Sequence, residues 1–213
     1  MRHLRVAVLL SGGGRTLQNL FDRMDAGKLD AEVVVVGSSR RDAHGLERAR
    51  LRGVPTFVVP SRRYRDTPSF SKTVFEKLGQ YQYDLLALAG FMCLLDIPPE
   101  LAGRVMNIHP ALIPAFCGKG QYGHLVHEAA IACGVRVSGC TVHFADNVYD
   151  HGPIIVQKTV PVLDDDTPDS LAERVFAQEC EAYPEAIRLF GEGRLRIEGR
   201  RVRILPARGE GVE

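Results

Sequence analysis

Asn107 and His109 are the residues of this sequence best placed to do chemistry. They end a short apolar run, "RVMNIH" (104–109), and lie two positions apart. Side chains two positions apart on a strand point to the same face, so an amide donor and a titratable imidazole would be neighbours. The carboxyl end of a central parallel strand is where open α/β sheets bind ligands. Alternatively, both side chains simply finish the strand and bond to loop backbone.

A carboxylate, Asp150, could complete this pair. It stands in "YDHGP", where an Asp before a glycine is usually turn chemistry. The functional interpretation is a carboxylate that orients His109 and raises its pKa, as acid–base histidines often require. Sequence spacing does not choose between the two.

The segment "SGGGRTLQ" (11–18) could bind an anion. It follows an apolar run and opens a helix-like segment, so glycine backbone and helix-start N–H groups would meet there. The dinucleotide pattern GxGxxG fails at Leu17, and a Walker A loop lacks its Gly-Lys-Ser/Thr. The remaining interpretation is a simple phosphate cradle at Gly14, Arg15 and Thr16. A tight turn is an equally good alternative.

Two further polar positions allow a structural or a functional interpretation. His124, His127 and Glu128 form HxxHE, which matches neither the zincin spacing HExxH nor the inverzincin spacing HxxEH. We therefore favour a polar helix face over a metal site completed by Cys117 or His143. Glu179 lies on the inward stripe of an amphipathic segment. It is either a salt-bridged residue at the edge of the core or a ligand for a substrate hydroxyl.

The elements that would position these residues alternate along the chain. Short, continuous apolar runs typical of parallel strands buried on both faces cover 4–10, 31–39, 55–60, 83–90 and 104–109. Helix-like segments between them cover 16–25, 42–52, 69–81 and 98–103. This order predicts an α/β fold with a doubly wound, mostly parallel, Rossmann-like sheet.

The second half predicts an antiparallel C-terminal extension. Residues 137–146 and 152–162 alternate in part, as expected of two antiparallel strands joined by a turn. Thr167 followed by Pro168 is a helix-start signal, and that helix should end near residue 190. A last hairpin should turn at Glu198-Gly199.

Composition limits the partners and the compartment. The chain has 213 residues and a net charge of +1, which suits a single domain and favours neither nucleic acid nor an anionic membrane. Its five cysteines form no CxxC pair, which fits a reducing cytoplasm. The first apolar run is too short to span a membrane. We expect small-molecule substrates and a monomer or homodimer.

Taken together, the motifs resemble the glycinamide ribonucleotide formyltransferase family of purine biosynthesis, within the folate-dependent formyltransferases. The segments are "SGGGRTLQNL", "DAHGLERAR", "LAGFMCLL", "NIHPALIPAF", "SGCTVHFADNVYDHGPIIVQ" and "RVFAQECEAYPEAIRLF". They cover about 4–195, so the resemblance implies one formyltransferase domain, 1–213, in which 196–213 forms the hairpin end and a tail. It implies neither the RNA-binding domain of tRNA formyltransferases nor the regulatory domain of deformylases.

The resemblance implies formyl transfer from 10-formyltetrahydrofolate, a co-substrate of one-carbon metabolism, to the amine of glycinamide ribonucleotide. Asn107 would donate to the oxyanion, His109 would move the amine proton, and Asp150 would orient His109. It assigns the amine substrate to Gly14, Arg15, Thr16, Pro110 and Glu179. It assigns the folate to Met92, Cys93, Leu94, Leu95, Asn107 and Asp146. No metal or nucleotide cofactor is implied.

Two departures from the family pattern affect the expected folate site. Cys93 stands where the family commonly has an arginine, and a longer loop, "CGKGQYGHLVH" (117–127), follows the proline-rich segment. Alternatives are formyl transfer to another amine, such as an amino sugar nucleotide, or formyl hydrolysis. A non-catalytic phosphoribosyl- or folate-binding protein is a third, but such a binder has no need for the catalytic trio.

Overall fold

A computed structural model describes residues 3–207. Its strands are β1 (Leu4–Leu10), β2 (Ala31–Ser38), β3 (Thr56–Val58), β4 (Leu85–Leu88), β5 (Val105–His109), β6 (Val137–Phe144), β7 (Ile154–Pro161), β8 (Leu195–Glu198) and β9 (Arg201–Ile204). Its helices are α1 (Arg15–Asp25), α2 (His44–Leu51), α3 (Thr67–Leu78), α4 (His124–Cys133) and α5 (Pro168–Gly191). These elements form one layered α/β unit.

The strands form one mixed sheet in the order β3-β2-β1-β4-β5-β6-β7-β9-β8. All neighbouring strands in the run β3-β2-β1-β4-β5 are parallel. β6 pairs antiparallel with β5, and β7 pairs antiparallel with β6. The terminal β8–β9 hairpin joins through a short parallel contact between β9 and β7. The predicted doubly wound, mostly parallel sheet with an antiparallel extension is therefore confirmed.

Both faces of the sheet are covered by helices. In β1, Val6 and Val8 face one core with α1, α2, α4 and α5, whereas Ala7 and Leu9 face a second core with α3. This two-sided burial explains why the strand reads as a continuous apolar run rather than an alternating one. The long α5 begins at a capping box in which Thr167 and Ser170 exchange backbone-to-side-chain hydrogen bonds, as its start signal predicted.

Two predicted local features are wrong. Residues 98–103 do not form an α-helix: only a 3-10 turn at Pro99–Leu101 forms, because Pro98 and Pro99 remove backbone donors. The last hairpin turns one residue later than predicted, at Gly199-Arg200. Part of the predicted tail, residues 208–213, lies outside the described residues.

The sheet topology brings separate loops together at one edge. β1 and β4 are adjacent, and the connections that follow them run to opposite sides. Ser11 N–H donates to the Gly90 carbonyl at 3.0 Å, and the Ser11 hydroxyl accepts from Met92 N–H at 3.0 Å. This topological switch point is where doubly wound sheets bind ligands. Among the described residues, no helix is both long and apolar enough to cross a membrane.

Candidate active site

A cavity of about 590 Å³ opens at the carboxyl ends of β4 and β5. Its walls come from the loop after β4, the end of β5, the loop before α4, the β6–β7 turn and the inner side of α5. The predicted residues that line it are Thr16, Met92, Cys93, Leu94, Leu95, Asn107, His109, Pro110, Asp146, Asp150 and Glu179. The structure therefore gathers residues that are far apart in sequence.

Asn107, His109 and Asp150 converge in this cavity. Asn107 Nδ2 lies 3.3 Å from Asp150 Oδ1 and 3.2 Å from His143 Nε2. His109 Nδ1 lies 3.6 Å from Asp150 Oδ2. His109 Nε2 is 2.8 Å from the Phe116 carbonyl oxygen, which only accepts, so this nitrogen carries a proton. The second ring nitrogen therefore faces the carboxylate.

Backbone conformation aims the carboxylate at the strand end. Asp150 adopts a left-handed conformation with φ of 51°, which is uncommon for a residue other than glycine. Its Oδ2 accepts from Gly118 N–H at 2.9 Å, which ties the turn to the loop opposite. Gly152 allows the turn to return close to β6, since a Cβ there would lie 1.8 Å from the Phe144 carbonyl oxygen. The motif "YDHGP" is thus shaped to present Asp150.

Burial decides the charge on the histidine. It lowers the pKa of His109, and the opposing effects of Asp150 and the Phe116 carbonyl are smaller, so the net shift is downward. Asp150 acts on His109 in the expected direction, because the carboxylate raises the pKa of the histidine, but burial outweighs this effect. Burial raises the pKa of Asp150, but the combined effect of His143, His109 and the Gly118 N–H is larger, so the net shift of this pKa is downward. Near neutral pH the site holds a neutral imidazole beside an anionic carboxylate.

A buried threonine holds the proline-rich segment after β5. The Thr141 hydroxyl donates to the Ala111 carbonyl at 2.6 Å and accepts from Ile113 N–H at 3.1 Å. Gln157 donates to the same hydroxyl and to the Ile113 carbonyl, both at 3.0 Å. Gly139 makes room for this segment, because a Cβ there would lie 2.9 Å from Leu112. The motif SGCTVHF therefore fixes the path of the chain that leaves His109.

The loop before α4 and the start of that helix are less completely bonded. His127 is buried, and among the described residues its Nδ1 has no hydrogen-bond partner; the same holds for Gln121 Oε1. The predicted polar helix face is wrong for His127, which is buried, whereas His124 is exposed; both residues line the cavity. Burial lowers the pKa of His127 to about 4. Within the described residues, no cluster of His, Cys, Asp and Glu is arranged to hold a metal.

The glycine-rich loop is packed against α2. Gly14 caps α1 with φ of 72°, and a Cβ there would lie 2.6 Å from Gly45 Cα. Gly45 N–H donates to Gly12, and Arg48 donates to the Gly13 carbonyl at 2.9 Å. This packing places the N–H groups of the loop at the start of α1, where the first N–H groups of a helix have no acceptor within the helix and are open to an anion. The turn and phosphate interpretations are thus compatible.

Glu179 lies on the α5 wall of the cavity without a direct partner. It is half-buried and forms no hydrogen bond or ion pair with any described residue. Burial raises its pKa to about 7, and the more distant Arg15 only partly offsets this shift. The commoner interpretation, a salt-bridged residue at the edge of the core, does not hold. A partly neutral carboxyl group faces the cavity instead.

Met92 to Leu95, which were predicted to bind folate, form the cavity wall supplied by the loop after β4. Met92 and Cys93 line this wall, and Leu94 N–H donates to the Tyr149 hydroxyl at 3.1 Å. Sequence reasoning did not single out Tyr149, nor the position of His143 beside Asn107. His143 and Asn107 are cross-strand partners in β5 and β6, and only the strand register reveals this. The other departure, the 117–127 loop, supplies the wall facing Asp150.

Comparisons with known proteins agree with this geometry. The formyl transferase family model matches residues 4–187. The chain is 38% identical to the chloroplastic phosphoribosylglycinamide formyltransferase of Arabidopsis thaliana over 92% of this chain and 68% of that protein. It is also 38% identical to the trifunctional purine biosynthetic protein adenosine-3 of Bos taurus, over 91% of this chain but only 19% of that protein.

A solved structure shows the same fold at high similarity. Glycinamide ribonucleotide transformylase 1 from Symbiobacterium toebii superposes with a TM-score of 0.87 and is 47% identical. The match covers 95% of this chain and 94% of the other. The family match, the sequence identity and the shared fold each extend over most of the chain. The chain belongs to the formyl transferase family.

Proposed function

We propose that this protein transfers the formyl group of 10-formyltetrahydrofolate to the primary amine of glycinamide ribonucleotide, a reaction of purine biosynthesis. The observation that carries the proposal is the position of Asp150, 3.3 Å from Asn107 and 3.6 Å from His109 at the switch point of the sheet. The plant relative and the solved neighbour are named for the same amine substrate, which supports this assignment.

The proposed chemistry begins when the amine attacks the formyl carbon and creates a tetrahedral intermediate with an oxyanion. Asn107 turns its amide from its two long hydrogen bonds toward that oxygen. His109, kept neutral by burial, accepts the proton that the amine loses and returns it to N10 of the leaving tetrahydrofolate. Asp150 stabilises the imidazolium formed between these two transfers.

The two substrates enter from opposite sides of this centre. Gly14, Arg15 and Thr16 hold the phosphate of the amine substrate, since unpaired N–H groups and the dipole of α1 favour an anion. Pro110 seats the amine and Glu179 binds ribose hydroxyls. On the other side, the folate lies against Met92, Cys93, Leu94, Leu95 and Asp146 and reaches Asn107. All five cysteines are free, which supports a cytoplasmic location.

A direct assay separates this proposal from its alternatives. Purified protein is incubated with 10-formyltetrahydrofolate and, in parallel, glycinamide ribonucleotide, an amino sugar nucleotide or no amine, and the products are identified by mass spectrometry. We expect formylated glycinamide ribonucleotide together with tetrahydrofolate. Formylation of the sugar nucleotide alone, formate release without an amine, or binding without turnover would each contradict the proposal.

A further inference from the structure

The guanidinium of Arg15 is held by two groups of α5. Its Nη1 and Nη2 donate to the two carboxylate oxygens of Glu173 at 2.6 and 2.7 Å. Its central carbon lies 3.9 Å from the centroid of the Phe176 ring. Bidentate pairing combined with stacking orients a guanidinium far better than a single contact does.

This ion pair lies at the edge of the cavity. Phe176 and Thr16 line the cavity, and Arg15 is the first residue of α1, directly after Gly14. The pair is nevertheless open to water, with side-chain exposures of 51% for Arg15 and 65% for Glu173. Both partners can therefore separate without leaving a buried charge behind.

We propose that the Glu173 carboxylate pairs with the Arg15 guanidinium when no substrate is bound, and that the substrate's phosphate displaces this carboxylate on binding. The inference rests on the proposed function, in which the phosphate is held at Gly14 to Thr16. A phosphate monoester presents the same two-oxygen edge to a guanidinium as a carboxylate and carries more negative charge. The exchange therefore keeps both hydrogen bonds of Arg15 and returns an exposed Glu173 to water.

Glu173 would in this way act as an internal competitor that tunes the affinity for the phosphate. A ligand without a phosphate offers nothing that can replace the carboxylate, so Arg15 stays paired and contributes nothing to its binding. Glu173 therefore lowers the affinity only for ligands that need Arg15, which are those with a phosphate. The predicted cost to the correct substrate is small, because exposed ion pairs are weak.

The chain contains a matched control pair. Arg23 and Glu181 form a second ion pair between the same two helices, eight residues further along each of them. Neither residue is among those that line the cavity in the described part of the chain. A change at Glu181 therefore reports the general effect of removing an α1–α5 ion pair, without any effect on a phosphate.

The test measures phosphate binding with and without Glu173. Inorganic phosphate is titrated into the protein and followed by the backbone amide NMR signals of Gly14 and Thr16. The KM for glycinamide ribonucleotide is measured separately. Glu173→Gln should lower both the dissociation constant for phosphate and the KM by about three- to fivefold, the range expected for an exposed ion pair. It should leave kcat unchanged. Glu181→Gln should change neither constant, and the dephosphorylated riboside should gain nothing from Glu173→Gln.

Arg15→Met provides the second arm. It should weaken both constants, and adding Glu173→Gln to Arg15→Met should then have no further effect, because nothing remains to compete for. Thermal unfolding establishes that each variant is folded. Looser or unchanged constants in Glu173→Gln, or an equal gain in Glu181→Gln, would overturn the inference. A wild-type protein that binds phosphate at Gly14 but does not formylate glycinamide ribonucleotide would instead refute the proposed function.

Discussion

Two walls of the cavity differ in how their polar groups are satisfied. The wall to which we assign catalysis, called the catalytic wall below, consists of Asn107, His109, His143 and Asp150, and these side chains contact one another or backbone at the ends of β5 and β6. The loop wall consists of residues 117–127. It contains two buried polar atoms that have no partner among the described residues.

The two walls also differ in how tightly their glycines are packed. Gly118, Gly120 and Gly123 all have positive φ, and an added Cβ at each would meet open space. On the catalytic side, by contrast, Gly139 and Gly152 are required by direct backbone contact. The comparison indicates that Asn107, His109 and His143 are held by strands β5 and β6, and Asp150 by the turn that Gly152 permits. We expect a bound ligand to complete the hydrogen bonds of the loop wall.

The largest expected effect comes from removing a member of the catalytic wall. Asn107→Ala and His109→Ala should each lower kcat by about a hundred- to a thousandfold, because a fixed hydrogen-bond donor or proton carrier is lost. Tyr122→Phe, an exposed position of the loop wall, is the control and should change kcat by less than about threefold. Steady-state kinetics at saturating donor provide the measurement. Near-wild-type turnover in both alanine variants would remove the distinction between the walls.

Glycine substitutions compare the walls through stability. Gly152→Ala should lower the free energy of unfolding by about 3 kcal/mol, because its Cβ cannot fit beside the Phe144 carbonyl. Gly120→Ala has only a conformational penalty, about 1 kcal/mol, since its surroundings are open. Urea unfolding measures both values. Equal losses at the two positions would show that the loop wall is as tightly constrained as the catalytic wall.

Sequence patterns predicted the strands and singled out Asn107, His109 and Asp150 as candidates, because both steps depend on local regularities. The apolar run that ends at His109 fixes which face Asn107 and His109 share, and the switch-point rule places them near a ligand. Asp150 was predictable as a candidate, but its distance to His109 depends on a left-handed turn and on Gly152. Spacing alone carries no information about either.

What could not be predicted depends on register or on burial. His143 meets Asn107 only through the pairing of β5 with β6, and no local motif encodes that pairing. The net charge of His109 follows from desolvation, which a list of neighbouring carboxylates omits. His127 appeared to belong to a polar helix face because helical spacing does not reveal which side of α4 turns inward.

A smaller effect is expected at Glu179, which resembles the loop wall because it has no direct partner. Its pKa is raised to about 7 from an ordinary value of 4.5, so the folded state retains a proton that the unfolded chain releases. Stability should therefore fall as the pH rises from about 4.5 to 7. Glu179→Gln removes this loss.

The magnitude for Glu179→Gln is modest because the side chain is only half-buried. The variant should unfold like wild type at pH 4 and gain about 1–2 kcal/mol at pH 8. Its KM for the amine substrate should rise, since an amide is a weaker acceptor for ribose hydroxyls than a carboxylate is. Denaturant unfolding at the two pH values provides the measurement. An equal gain at both values would exclude ionisation as the cause.

The pH–rate profile of Asp150→Asn tests the central claim most directly. Asparagine keeps the size of Asp150 and one of its two acceptor oxygens but removes the negative charge, so the carboxylate that raises the pKa of His109 is lost. We predict a fall in kcat no larger than that of His109→Ala, at most about a thousandfold, a shift of the His109 limb to lower pH, and little change in substrate KM. An unmoved limb together with a large loss of substrate affinity would contradict the account, because Asp150 would then bind substrate rather than act through His109.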